Sequence, residues 1–213
     1  VSSPVQQQPV RLRAVTVRRG QRTVLHRADA AFEPGSVTVV AGANGSGKST
    51  LLETVAGVLL AAEGTVSGVA PRSVAHVAQT VASPGPPLTV RAAVAMGRWG
   101  SLPWWRPLRP ADRRLVAEQL ARLDLEDLAD RPLAELSGGQ RQRALVATGL
   151  AQRAPVLLVD EPTAGVDARS LGLVLDALAA EAGRGAVVVH AAHDPAALAS
   201  ADRVLTLRDG ALH

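Results

Sequence analysis

Val37-Thr38-Val39-Val40-Ala41-Gly42-Ala43-Asn44-Gly45-Ser46-Gly47-Lys48-Ser49-Thr50 is the stretch on which the fold turns. Its opening residues are apolar or β-branched and predict a buried strand. Gly42 to Ser49 then follow the P-loop pattern, in which two spaced glycines lead into Lys and Ser. A helix is predicted from Lys48 to about Ala62. That order is what phosphate binding needs. Glycines let backbone N–H groups turn inward around an anion, and a helix N-terminus adds its dipole. In such a cradle Lys48 reaches the β- and γ-phosphates, while the Ser49 hydroxyl ligates Mg²⁺. Composition sharpens the reading: of 23 Lys plus Arg residues, only Lys48 is lysine. A compact ammonium fits between phosphates where a planar guanidinium fork is too bulky.

On either side of this stretch the chain alternates strands and helices. Val10 to Ala41 reads as short β segments, with Val15 and Val17 alternating around Thr16. Val156–Val159 and Ala186–Val189 are wholly apolar runs of the kind found in buried parallel strands. Ala111–Leu123 carries Leu115, Val116, Leu120 and Leu123 at helical spacing, and a further helix should begin at Ser137. Pro84 to Pro87 interrupt any regular element. The expectation is an α/β fold with a mainly parallel sheet. The core would run over about 10–83 and 152–213, with a helical lobe inserted over about 84–151.

Val156-Leu157-Leu158-Val159-Asp160-Glu161 is an apolar strand ending in two acids. Parallel strands present ligands at their carboxyl ends, so Asp160 should face the crevice of the glycine loop and hold Mg²⁺. Glu161 is then placed to orient or deprotonate an attacking water. His193 follows the run 186–190, where a neutral imidazole could hydrogen-bond a terminal phosphate and that water. A zinc reading of His190, His193 and Asp194 lacks further spaced ligands.

Bulk properties bound the remainder. The 213 residues, 47% hydrophobic and 20% charged, suit one globular unit. Without cysteine there are no disulfides and no thiolate metal sites. The net charge is +4, but the arginines are scattered and no basic tract with interleaved aromatics exists, which argues against a nucleic-acid partner. Val1 to Pro9 does not read as a secretory signal, and no apolar stretch is long enough to span a bilayer.

Leu136-Ser137-Gly138-Gly139-Gln140-Arg141-Gln142-Arg143 resembles the signature sequence of ABC (ATP-binding cassette) ATPases, and Asp160-Glu161-Pro162-Thr163 resembles their Walker B end. From about Val10 to His213 the order and separation of motifs are similar to an ABC nucleotide-binding domain, whose core is a RecA-like P-loop NTPase with a small N-terminal antiparallel β portion. The resemblance implies ATP and Mg²⁺ as ligands and a homodimer with ATP between one copy's loop, Gly42 to Thr50, and the other copy's Ser137, Gly138, Gly139 and Gln140. It implies that Gln79 senses Mg²⁺ and the attacking water and couples to a permease, that Asp167 belongs to the D-loop, and that His193 is the switch histidine. It also implies membrane permease subunits as partners, an extracytoplasmic solute-binding protein, and a place on the cytoplasmic face of the cell membrane. Residues 137 and 140 form a capping box in their own right.

The chain departs from this family before the glycine loop, where an aromatic residue usually stacks on adenine. Val17-Arg18-Arg19-Gly20 offers none, so Arg19 is expected to lay its guanidinium on the base and to alter base preference. Thr89-Val90-Arg91, Met96-Gly97-Arg98 and the tryptophans 99, 104 and 105 look like the zinc or manganese branch of importers. Iron-chelate and cobalamin importers share a similar stretch. A soluble non-transport ABC ATPase and a cluster-assembly scaffold are the other readings.

Overall fold

The computed structural model describes residues 7–78, 88–101, 106–161 and 167–213. Strands β1 (Val10–Arg19) and β2 (Arg22–Phe32) form a hairpin closed at Arg19↔Arg22. Val10, Leu12, Val15 and Val17 are buried while Arg11 and Arg13 face solvent, the alternation of a half-buried antiparallel sheet. The register shifts between Leu12 and Val15, and Ala14, with φ 47°, sits in that bulge.

The larger sheet has six strands in the order β5-β6-β7-β3-β8-β9. These are β3 (Ser36–Ala41), β5 (Val74–Val77), β6 (Val156–Asp160), β7 (Val187–Ala191), β8 (Arg203–Arg208) and β9 (Ala211–Leu212). β5 to β8 are mutually parallel across each pairing, and β9 closes the edge antiparallel to β8. Every residue of β6 and β7 is buried, which explains their unbroken apolar sequences. β4 (Glu63–Ser67) instead joins β1, completing a separate three-stranded antiparallel sheet. One hydrophobic cluster fills the space between the two sheets and α1 (Lys48–Val55), through Leu25, Phe32, Leu51, Leu52, Leu158 and Leu205.

Helix α1 is shorter than expected. It ends at Val55 rather than near Ala62, because Gly57 takes a left-handed φ of 73° and turns the chain away. Val58 and Leu60, which continued the apolar pattern, are 70% and 83% exposed.

Three helices, α2 (Val90–Met96), α3 (Pro110–Arg122) and α4 (Gly138–Ala151), pack on one another. A Cβ on Gly97 would stand 2.4 Å from the Thr148 carbonyl oxygen, so α2 and α4 approach backbone to backbone. Arg98 donates to the Ala151 and Gln152 carbonyls and pairs with Asp112 at 2.8 Å, joining the end of α4 to the start of α3. Helix α5 (Ala168–Gly183) and the short α6 (Pro195–Ala199) complete the fold. Among the described residues no helix is long and apolar enough to cross a membrane.

Candidate functional site

The carboxyl ends of β3, β6 and β7 lie side by side, and the candidate site is built there. The loop from Gly42 to Gly47 leaves β3 and enters α1 at Gly47, whose φ of 108° admits few residues with a side chain. No side chain caps α1, and its first turn holds no acid. Its leading N–H groups therefore remain open to an anion.

Lys48 is 4% exposed. Its ammonium donates to the Gly42 and Ala43 carbonyls at 2.9 and 3.1 Å, folding back over the loop that precedes it. It also stands 3.6 Å from Glu161 Oε1, so the loop and the acid pair after β6 meet at one point. Glu161 takes a φ of 46°, a strained choice for a side-chain-bearing residue, and is held there by its N–H donating to the Ala191 carbonyl at 3.1 Å. Gly45, Gly47, Lys48, Ser49, Thr50 and Glu161 line one cavity of about 560 Å³. Asn44, Arg19, Arg22, Val24 and Glu53 line it too.

Asp160 is 4% exposed and hydrogen-bonded by the Ser49 hydroxyl, while its Oδ1 is buried without a hydrogen-bond partner among the described residues. Burial pushes its carboxyl above the ordinary carboxylate range, with the neighbouring Glu161 charge adding to that rise; Ser49, His76 and Lys48 work against it. A buried carboxylate oxygen with no donor, beside a hydroxyl, is a donor set suited to a hard divalent cation. Mg²⁺ fits these residues, since its charge would compensate the buried carboxylate.

Ser137 caps α4 as expected, its hydroxyl accepting from the Gln140 N–H at 3.2 Å while Gln140 Oε1 accepts from the Ser137 N–H at 3.0 Å. Ser137 and Gly138 are exposed, and a Cβ on Gly138 would meet nothing within 4 Å. None of Ser137, Gly138, Gly139 and Gln140 lines the cavity of the glycine loop.

His193 is exposed in the turn after β7, while His190, three residues earlier, is fully buried. The two rings thus do not converge. Asp167 accepts from the Ser170 N–H and hydroxyl, each at 2.9 Å, capping α5; those bonds hold its carboxyl below the usual range. Asp194 caps α6 in the same way. Gln79, the tryptophans 104 and 105, and residues 162–166 lie outside the described residues. Trp99 is 59% exposed.

One pair of contacts was not expected from sequence. Arg19 Nε donates to Thr50 Oγ1 at 3.2 Å and its Nη2 to Glu53. The i, i+3 spacing of Thr50 and Glu53 on α1 places both acceptors on one face, a signal that says nothing until β1 is known to lie against it.

Residues 25–164 match the family described as ABC transporter. The chain is 42% identical over 207 residues to the hemin import ATP-binding protein HmuV of Streptomyces coelicolor, covering 91% of this chain and 72% of that protein. It is 36% identical over 188 residues to the manganese transport system ATP-binding protein MntA of Synechocystis, covering 84% of this chain and 72% of the relative. A solved metal-chelate type ABC transporter superposes with a TM-score of 0.84 at 27% identity, over 97% of this chain and 82% of that one. With the glycine loop, the acid pair after β6 and the open helix start already in place, these likenesses make the chain a member of the ABC transporter family, an ATP-binding cassette and an ATPase.

Proposed function

We propose that this chain is the subunit that hydrolyses ATP for a metal importer, seated on the cytoplasmic face of the membrane beneath its permease. The observation that carries the catalytic part is the 3.6 Å approach of Lys48 to Glu161 in one cavity, with the buried, orphaned oxygen of Asp160 on the adjoining residue.

The backbone from Gly42 through Ala43, Asn44, Gly45 and Ser46 to Gly47 wraps the phosphates, together with the open N–H groups of Lys48, Ser49 and Thr50. Lys48 balances charge on the β- and γ-phosphates. Ser49 and Asp160, joined by Gln79, would hold Mg²⁺, which would supply charge neutralisation to the phosphates. Glu161 accepts the proton of the attacking water, and His193 hydrogen-bonds the γ-phosphate and fixes that water's approach. Ser137, Gly138, Gly139 and Gln140 of one copy, with Asp167 nearby, face the ATP of the other. The exposed start of α4, absent from the lining of its own chain's glycine-loop cavity, supports this. The lobe over about 84–151 meets the permease, and a solute-binding protein outside delivers cargo.

Zinc or manganese remains our first reading of the cargo, supported by the residues from Thr89 to Trp99 and by the manganese-system relative. A second reading, an iron chelate, is favoured by the 42% likeness to a hemin-import protein and by the metal-chelate type structure.

Glu161→Gln tests the mechanism. ATP hydrolysis should fall by about a hundredfold or more while ATP binding persists, giving a stable ATP-bound dimer on gel filtration. Hydrolysis at the wild-type rate would remove Glu161 as the base.

A further inference from the structure

The cavity lined by Gly45, Gly47, Lys48 and Ser49 is also lined by Arg19, Arg22 and Val24, so a nucleotide anchored there by its phosphates has these side chains in the same space as its base. The chain has four aromatic residues, three Trp and one Phe, and no Tyr. Phe32 is completely buried at the far end of β2, and the tryptophans belong to the stretch 99–105 after α2. Among the described residues no aromatic plane lines this cavity.

Arg19 takes that place in a particular way. Its Nε donates to Thr50 Oγ1 at 3.2 Å and its Nη2 donates to the Glu53 carboxylate. Thr50 and Glu53 sit one turn apart on α1, directly after the loop that receives the phosphates. One edge of the guanidinium is thereby spent on the helix, and two bonds in a fixed fork set the orientation of its plane. Half of the side chain is still exposed, at 51%. A guanidinium held this way offers its face, and a face contact is made by any purine.

We infer that Arg19, locked by Glu53 and Thr50, is the platform for the nucleotide base, and that it grips purines without choosing between adenine and guanine. This rests on the nucleotide reading above and adds its base specificity. Glu53 is a positioning residue: it touches no substrate and acts by holding the Arg19 plane.

Calorimetry with Mg-ATPγS, Mg-GTPγS and Mg-tripolyphosphate tests it on the intact chain. Wild type should bind the two nucleotides within about threefold of each other. Arg19→Ala should weaken both by about tenfold and leave tripolyphosphate unchanged, because the lost contact is to the base. Arg19→Tyr should restore nucleotide affinity, and Glu53→Gln should cost a few-fold on nucleotides alone. The platform is overturned if Arg19→Ala leaves nucleotide affinity intact. It is equally overturned if tripolyphosphate weakens in step, which would make Arg19 a phosphate contact, or if wild type prefers one purine by more than about tenfold. Failure of wild type to bind any of the three ligands would instead sink the nucleotide reading itself.

Discussion

At position 190 a histidine ring sits in the middle of a buried parallel strand, wholly shielded, with neither nitrogen hydrogen-bonded among the described residues. Burial pushes its pKa down from 6.5 to about 4. In the unfolded chain the same ring protonates near its ordinary value. Between those two values the unfolded state binds more protons, so stability present above pH 6.5 is lost as pH falls towards 4. The full effect is about 3 kcal/mol. His190→Leu should therefore shrink the loss of unfolding free energy between pH 7.5 and 4.5 by about 2 kcal/mol in denaturant titrations. An unchanged pH slope would show that the ring is hydrated or paired in solution. The residue scale also separates what was readable from what was not. Lys48 stands out in the sequence as the sole lysine, whereas nothing in the sequence marks Glu53, whose contact with Arg19 only the fold reveals.

At the scale of elements, caps and spacings were the readable features. Ser137 and Gln140 announced the start of α4 because a capping box is a local arrangement of neighbours in sequence. The end of α1 was misjudged for the opposite reason. Apolar residues continue to Ala62, but Gly57 reverses the chain, and no packing partner is seen from sequence alone. Gly97 shows how closely α2 and α4 approach. It lies at the end of α2 with an ordinary helical backbone, so the demand there is for space and not for conformation. Gly97→Ala should push α2 away from the Thr148 carbonyl and destabilise the protein by about 1–3 kcal/mol. The same change at Gly100, which has open space around it, should be nearly silent. Thermal melts of the two variants decide this, and equal Tm values would refute the close approach of α2 and α4.

Across the whole molecule, the exposed start of α4 is not among the described residues that line the cavity of Gly45, Gly47, Lys48 and Ser49. If two copies complete each other's sites, two dead variants should rescue one another. Lys48→Ala removes the phosphate contact, and Gly138→Asp puts a negative charge on the helix start. Mixed in equal amounts, half the dimers are heterodimers with one intact site, so about a quarter of wild-type ATPase activity should return. A mixture as inactive as its parts would show that both motifs serve the same copy. Helices α3 and α5 are tied together by an ion cluster invisible in the sequence. Glu181 on α5 is 2% exposed and pairs with Arg122 of α3 at 3.8 Å, with Arg153 at 3.7 Å, and with Arg184.

The strand–glycine loop–helix unit, the acid pair after β6 and the cap of α4 were all legible from residue order, because each is local. Glycines, caps and apolar runs act on neighbours within a turn or two, and such contacts are written in consecutive letters. Pairings between distant segments needed the fold. The 3.6 Å approach of Lys48 and Glu161 spans more than a hundred residues, and the Arg19–Glu53 contact joins a hairpin to a helix. Burial decided what those side chains do: it left an Asp160 oxygen without a donor and pushed the His190 ring towards neutrality, and burial is a property of the packed chain.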